Sequence, residues 1–236
     1  MKLKEGSNSG GLSRKTLSYQ IDQSLERLQM DYIDFYIIHR WDNKVSIEET
    51  MKALHDIVKS GKARHIGASA MYAWQFAKPK AVAEKYGWTK FVSMQNHLNL
   101  LYREEEREML PLCHEQNIAV TPYSPLAAGR LTRDWEATTK RFLTDTTAQS
   151  KYDITENQDR IIVERVAEIA GKYQVKRAQI TLPWLLQKKE VVAPIIGATK
   201  ESHSTDALPA LELKLTQEDI QYLEEVYQPH RVVGDI

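Results

Sequence analysis

Cysteine is almost absent from this sequence, which contains only Cys113 in 236 residues. One thiol cannot form an internal disulfide, so the composition is typical of a reducing compartment and predicts a cytoplasmic protein. Cys113 lies at helical spacing from Met109, which favours core packing over a role as nucleophile. Long apolar runs are absent too, because no stretch approaches the roughly 20 residues of a membrane span. The sequence therefore predicts no membrane segment.

An excess of either charge is also lacking, since 32 Lys and Arg residues balance 32 Asp and Glu residues. This balance, without a basic patch interleaved with aromatic residues, argues against nucleic acid and against an anionic membrane surface as partners. The metal signatures HExxH and CxxC are absent, and no carboxylate–histidine set has ligand spacing, so we predict no metal site.

What the sequence does contain is a regular alternation of helical and strand-like segments. Short runs rich in β-branched and aromatic residues predict five strands, at residues 32–38, 63–69, 91–95, 118–123 and 191–198. Helices are predicted between and on either side of these strands, and three of the helices begin at N-caps, Ser13, Ser46 and Thr216. Residues 133–151 are polar without a clear period and predict a loop. Such alternation favours βαβ units and a parallel sheet.

The architecture of that sheet stays open at this level. Five units fit either a doubly wound open sheet or part of a larger barrel. A nucleotide-binding open sheet carries a glycine-rich phosphate turn after its first strand. Here the first predicted strand is followed by HRWD, residues 39–42, and composition and rhythm alone do not decide between the two.

Polar residues follow the predicted strands at the points where each strand ends. They are His39, Ser69, Gln95, Tyr123 with Ser124, and Gly197. The carboxyl ends of parallel strands form the active face of α/β folds. Any one of these residues alone would indicate a capped loop, whereas five together favour a site.

His39 is the candidate for catalysis. An imidazole at a strand end can donate a hydrogen bond to a carbonyl oxygen and stabilise developing negative charge. The alternatives are a buried histidine bonded to the neighbouring loop, or a surface residue paired with Asp42. Elsewhere, the Tyr123 ring suits a planar heteroaromatic ligand, and Thr199 with Lys200, before a predicted helix, suits a phosphate.

These residues resemble a known family. IHRWD, MQN, YSPLAAGRL and IIGATK, in this order, are similar to motifs of the aldo-keto reductases, in the aryl-alcohol-dehydrogenase-like and versiconal-hemiacetal-acetate-reductase-like branch. The similarity runs from about Gly10 to the C-terminus. It implies an α/β fold of the (β/α)₈ TIM-barrel type in one domain over residues 1–236. It also implies reduction of a small aldehyde or ketone by hydride from NADPH.

The resemblance also implies a catalytic set of Asp, Tyr, Lys and His. Only the histidine maps onto this sequence, at His39, and the other three belong to βα units that would precede Met1. We therefore expect a barrel truncated at its N-terminus to about five βα units, with self-association through open sheet edges. The alternative is a catalytically inactive truncated relative that at most binds NADP(H).

The cofactor half of the family pattern is better represented. Ser69, Gln95 and Asn96 match residues near the nicotinamide carboxamide, and Tyr123 matches the residue that stacks on the nicotinamide ring. The pyrophosphate and ribose region matches Ser124, Pro125, Leu126, Gly129 and Leu131. The 2′-phosphate region, whose presence favours NADP over NAD, matches Gly197, Thr199 and Lys200. The adenine region matches Asp206. Departures from the pattern fall at Ala70, His203 and Ala207.

Overall fold

The computed structural model describes residues 10–137 and 144–233, and these residues form two compact units. The first unit contains the described residues up to Gln95 together with Leu112–Ala119. The second contains Asn96–Pro111 and the described residues from Val120 onward. Among the described residues no helix is both long and apolar enough to cross a lipid bilayer.

A parallel sheet forms the centre of the first unit. Its strands are β1 (Ile33–Ile38), β2 (Ala63–Ser69) and β3 (Phe91–Gln95), and the short β4 (Ala119–Val120) follows in the sheet order β1-β2-β3-β4. β1 pairs with β2, and β2 with β3, in parallel. The predicted α/β class with a parallel sheet is confirmed, and the described residues do not form a closed barrel.

Helices α1 (Arg14–Leu28), α2 (Ile47–Lys59) and α3 (Ala73–Tyr86) belong to the same unit. The predicted caps are present, because Ser13 Oγ accepts from the Thr16 amide and Ser46 Oγ accepts from the Glu49 amide at 3.2 Å. Each cap satisfies an amide that has no partner within its helix. The apolar faces of these helices and of the sheet are buried in a core that includes Leu17, Ile21, Met51, Leu54, Ile66 and Met94.

The helix predicted near residues 104–116 is divided into a 3₁₀ turn, Glu104–Glu106, and α4 (Met109–Glu115). Side-chain bonds hold the turn, from Arg103 to Glu106 at 2.7 Å and from Arg107 to Glu104 at 2.8 Å. Cys113, on α4, is fully buried, so its predicted place in the core is confirmed.

The second unit is mainly helical. It contains α5 (Thr146–Tyr152), α6 (Glu156–Tyr173), α7 (Ala178–Leu186), α8 (Glu201–Ala207) and α9 (Gln217–Glu224). α9 begins at the predicted cap Thr216, whose hydroxyl accepts from the Asp219 amide at 3.1 Å. The core of the second unit includes Leu131, Tyr152, Ile162, Val166, Ile180, Trp184 and Leu223.

Two sequence predictions are wrong in this unit. The loop expected over residues 133–151 contains α5, which begins at the Asp145 cap and is fixed by the buried Tyr152; residues 138–143 of that prediction lie outside the described residues. The fifth strand, expected over 191–198, makes only two isolated parallel bridges, Val120 with Val191 and Tyr123 with Ile195. Pro194 lacks the amide that a continuous ladder needs.

Candidate functional site

Three predicted site residues, His39, Ser69 and Gln95, come at the same end of neighbouring strands in the first unit. Ile38 pairs with Ala68, so His39 and Ser69 follow at the same end of β1 and β2. Ser69 pairs with Gln95, which is the last residue of β3. The sheet therefore brings a histidine, a serine and a glutamine to one edge.

His39 is exposed, and within the described chain its side chain makes no hydrogen bond or ion pair. Partial burial and the neighbouring Arg40 lower its pKa, so the imidazole is neutral at physiological pH. A neutral imidazole can donate one hydrogen bond and accept another. The alternative pairing with Asp42 is not seen in the described chain, where the Asp42 carboxylate accepts from the amides of Leu12 and Lys44, each at 2.8 Å.

Ser69 is buried and donates its hydroxyl proton to the Gln95 carbonyl oxygen at 2.8 Å. The Ala70 amide donates to the same oxygen at 3.1 Å. Ala70 has a φ of 44°, a left-handed conformation that asparagine tolerates better than alanine. The departure at Ala70 therefore falls on a backbone position that favours asparagine.

In the second unit, Asn96 is buried, and neither its amide nitrogen nor its carbonyl oxygen has a hydrogen-bond partner among the described residues. Burial raises the pKa of Glu105 to about 7. The Asn96 amide lies near Glu105 and partly offsets this rise, although the two side chains do not form a hydrogen bond of ordinary geometry. An unsatisfied buried amide is rare in folded proteins. It fits a position beside the polar carboxamide of a bound ligand.

Tyr123 is half-buried and its ring is stacked against His97, with centroids 5.1 Å apart and planes 7° apart. His97 is stacked on its other side against Tyr102 at 4.3 Å. The sequence offers little signal for this arrangement, because His97 stands out only by following Gln95-Asn96 and no local pattern marks Tyr102 or Tyr152 as its partners. The stack makes Tyr123 a rigid aromatic surface.

A large groove lies within the second unit, with a volume of about 1600 Å³. This exceeds the roughly 300–1,000 Å³ of pockets for drug-sized ligands and suits a dinucleotide. Its lining includes nine residues predicted to bind a cofactor, namely Tyr123, Ser124, Pro125, Leu126, Gly129, Gly197, Thr199, Lys200 and Asp206. Leu131 is fully buried and is not part of the lining.

The backbone between Tyr123 and Arg133 turns sharply beside this groove. Ser124, Ala127 and Ala128 all have positive φ values, and Gly129 has a φ of 94°. Only glycine adopts that last conformation without steric strain. The Ser124 carbonyl accepts from Asn99 Nδ2 at 2.9 Å and from the Ala127 amide at 3.0 Å, so the turn is held by bonds at its start.

Other groove residues come from the end of α6 and the start of α7, which sequence reasoning did not identify. Among them, Lys176 forms an ion pair with Asp206 at 2.6 Å, and Arg177 forms one with Asp134. Lys200 is exposed and makes no ion pair within residues 144–233 or the rest of the described chain. His203, where the sequence departs from the family pattern, also lies here, and its Nδ1 accepts from the Thr199 amide at 3.4 Å. The groove is thus mainly basic at this end.

Groups of three or more residues able to hold a metal are absent from the described part of the chain. The arrangement instead combines an apolar and aromatic floor with basic side chains at one end. Such a lining suits an elongated ligand with one aromatic ring and one anionic group.

Comparison with known proteins decides the family, because the aldo/keto reductase family pattern matches residues 1–228. The chain belongs to the aldo/keto reductase family. This membership implies a (β/α)₈ fold, in agreement with the resemblance seen in the sequence.

Two relatives illustrate how this aldo/keto reductase family chain compares with curated members. A Schizosaccharomyces pombe protein that carries an aryl-alcohol dehydrogenase name is 46% identical, with 98% of this chain and 65% of that protein aligned. The versiconal hemiacetal acetate reductase of Aspergillus parasiticus is 43% identical, with 95% of this chain and 66% of that protein aligned. The chain thus spans about two thirds of the length of these relatives.

Proposed function

We propose that this protein reduces aldehydes or ketones to alcohols by taking hydride from NADPH. Membership of the aldo/keto reductase family supports carbonyl reduction in general. The single observation that carries the cofactor proposal is the groove, because nine of the thirteen predicted cofactor residues line it together.

The groove residues fit an extended dinucleotide. Tyr123 would stack on the nicotinamide ring, and Ser124, Pro125, Leu126 and Gly129 would follow the pyrophosphate and ribose. The sharp turn supports this role, because left-handed residues let the backbone approach a ligand closely. Gly197 and Asp206 complete the proposed contacts, with Asp206 on the adenine side.

A 2′-phosphate would lie near Thr199 and Lys200, which is why we favour NADP(H) over NAD(H). Lys200 lacks a carboxylate partner in the described chain, so binding a phosphate would not require breaking an ion pair. A charge-assisted bond from an ammonium group to phosphate is stronger than a neutral one.

On the carbonyl side, we propose from the family pattern that His39 orients the substrate oxygen, and that Ser69, Gln95 and Asn96 are each carboxamide contacts. The bound cofactor would supply the hydride. The lowered pKa of His39 favours a neutral imidazole, which holds an N–H proton toward an oxygen that becomes negative. The unsatisfied amide of Asn96 supports a polar ligand group beside it.

The aryl-alcohol dehydrogenase name of one relative suggests an aromatic carbonyl substrate. We therefore propose an aromatic aldehyde as the first substrate to assay. We also propose a cytoplasmic location from the single cysteine, and self-association through the edge strand β1 of the sheet.

The second candidate function is NADP(H) binding without turnover. One observation favours it: six tyrosines have raised pKa values, mainly because of burial or a carboxylate partner, namely Tyr36, Tyr102, Tyr152, Tyr173, Tyr222 and Tyr227. A tyrosine that serves as general acid near neutral pH needs a lowered pKa, since the reference value is about 10.

The experiment that separates the two candidates is NADPH oxidation by the purified chain with an aromatic aldehyde. Turnover that exceeds a His39→Ala variant supports the reductase. NADPH binding, measured by quenching of tryptophan fluorescence, without turnover supports the binding protein. Neither binding nor turnover would contradict both.

A further inference from the structure

His97 is held in the second unit by rings on several sides. It is buried, stacked between Tyr102 and Tyr123, and the Tyr152 ring meets it edge-on at 5.8 Å and 74°. The position directly follows Gln95-Asn96 in sequence. A histidine packed in this way cannot rotate without displacing its aromatic neighbours.

Two polar side chains fix the His97 ring in its plane, because Tyr152 Oη and, at 3.3 Å, Asn99 Nδ2 both lie within hydrogen-bond distance of its Nε2. Tyr152 Oη and His97 Nε2 are 2.7 Å apart, and Asn99 Nδ2 donates to Tyr152 Oη at 3.1 Å. Because the Asn99 amide nitrogen can only donate, His97 Nε2 accepts, which corresponds to the neutral tautomer with the proton on Nδ1, an atom that is buried without a hydrogen-bond partner in the described chain. Burial lowers the pKa of His97 to about 3, in agreement with a neutral ring.

The same group of residues also fixes the backbone of Tyr123. The Tyr123 amide donates to the Asn96 carbonyl at 2.8 Å, and Asn99 Nδ2 donates to the Ser124 carbonyl at 2.9 Å. Lys151, beside Tyr152 on α5, lies with its ammonium 5.1 Å from the centre of the Tyr123 ring. Lys151 therefore acts on the Tyr123 ring directly, and Tyr152 acts on it through His97.

We infer that His97 and Tyr152 are positioning residues that hold the Tyr123 ring in the plane required to stack on a nicotinamide ring. This inference rests on the proposed function, since it takes Tyr123 as the nicotinamide contact. A ring that is oriented before the ligand arrives loses less freedom when the ligand binds. Tyr152 is linked to the Tyr123 ring through His97 and to the following Ser124 carbonyl through Asn99, so its effect on the ligand is indirect.

The test compares NADPH with adenosine 2′,5′-bisphosphate, which carries the adenine and 2′-phosphate but no nicotinamide. Both affinities are measured by calorimetry for the unaltered chain and for Tyr152→Phe, which removes one oxygen and keeps the ring. We expect NADPH to bind about fivefold more weakly to Tyr152→Phe, as for the loss of one hydrogen bond. The affinity for the bisphosphate should stay within about twofold, because that ligand does not reach Tyr123.

His97→Phe serves as a second variant, since it keeps the stacked ring and removes the same hydrogen bond. If the two residues act together, the double variant binds NADPH no more weakly than the worse single variant. Tyr222→Phe is the matched control, because its hydroxyl bonds Glu168 on the exposed surface of the same unit. It should leave both affinities unchanged.

The outcomes separate this inference from the proposed function. An equal loss for NADPH and for the bisphosphate would overturn the positioning role and indicate a purely structural pair. Failure of the unaltered chain to bind NADPH would overturn both the function and the inference. Should the variants not fold, NMR of the unaltered chain decides: the His97 ring protons should shift with NADPH and not with the bisphosphate, and unchanged signals would refute the role.

Discussion

His230 Nε2 lies 2.9 Å from Asp159 Oδ1, and both side chains are almost completely buried. The other ring nitrogen of His230, Nδ1, is 2.8 Å from the Gln228 carbonyl oxygen. Two acceptors on opposite nitrogens match an imidazolium, which has two donors. The backbone amide of His230 also donates to Glu104 at 2.8 Å. The pair thus ties the C-terminal segment to α6 and to the Glu104 turn.

This pair predicts a pH dependence of stability. Burial alone would lower the pKa of His230, but the bond to Asp159 and the Gln228 and Glu104 oxygens outweigh it, so the pKa is raised above 6.5. The stabilisation is therefore complete below the unfolded pKa and is lost as the pH rises through the folded pKa. The free energy of unfolding from urea titrations at a series of pH values should show this loss.

His230→Gln should remove most of that pH dependence and lower the free energy of unfolding by about 2 kcal/mol at acidic pH, because Asp159 loses a charged partner. Asp159 keeps the Thr155 hydroxyl at 2.6 Å, which limits the loss. His203→Gln, at an exposed position, is the control. A pH profile that His230→Gln leaves unchanged would show that another group is responsible.

Lys200→Glu should weaken NADPH binding about tenfold or more and NADH binding much less, because the new carboxylate would repel a 2′-phosphate. Calorimetry with both cofactors measures the ratio. Lys214→Glu makes the same change at an exposed position outside the groove lining and should leave the ratio unaltered. Equal effects of Lys200→Glu on both cofactors would place the phosphate elsewhere.

Gly129→Ala should lower the free energy of unfolding by about 1–3 kcal/mol and weaken NADPH binding. The left-handed φ of 94° strains any residue with a Cβ. That Cβ would also lie 2.7 Å from Arg133 Nη1, although this flexible side chain can move. Gly171→Ala, in α6 where a Cβ meets nothing within 4 Å, should instead stabilise the fold by about 0.5–1 kcal/mol. Thermal unfolding compares the two.

The serines of the sheet offer a second matched pair. Ser69→Ala should lower the free energy of unfolding by about 1 kcal/mol, because the Gln95 carbonyl loses a donor. Ser93→Ala should be neutral or stabilising, because Ser93 Oγ is buried without a partner in the described chain. Urea unfolding of both variants provides the comparison, and a larger loss for Ser93→Ala would contradict these assignments.

Local signals in the sequence account for much of the fold. Caps at Ser13, Ser46 and Thr216, and apolar runs ending at Ile38, Ser69 and Gln95, depend on neighbouring residues, so they could be predicted. The run over 191–198 looked like a strand because its residues are β-branched, yet Val192 and Ile195 remain exposed and the ladder is not continuous. Strand formation there depends on neighbours that sequence periodicity does not identify.

The site was predictable where it follows motifs and not where it depends on helix packing. Tyr123–Gly129 and Gly197–Lys200 form contiguous motifs, and the groove contains both. Lys176 and Arg177 reach it only because α6 ends and α7 begins beside it, which no local pattern records. Two partners of His97, Tyr123 and Tyr152, are separated from it by 26 and 55 residues in the chain, so no local spacing could link them.

The ion pair between Lys176 and Asp206 has a consequence for any anionic ligand of the groove. If a ligand's adenine draws the Asp206 carboxylate away, the Lys176 ammonium is released beside the incoming negative charge. Binding of the ligand would then itself free the positive charge of Lys176 that balances part of the ligand's negative charge. Before that moment Asp206 neutralises the Lys176 ammonium, so Lys176 adds no net charge of its own to this end of the groove.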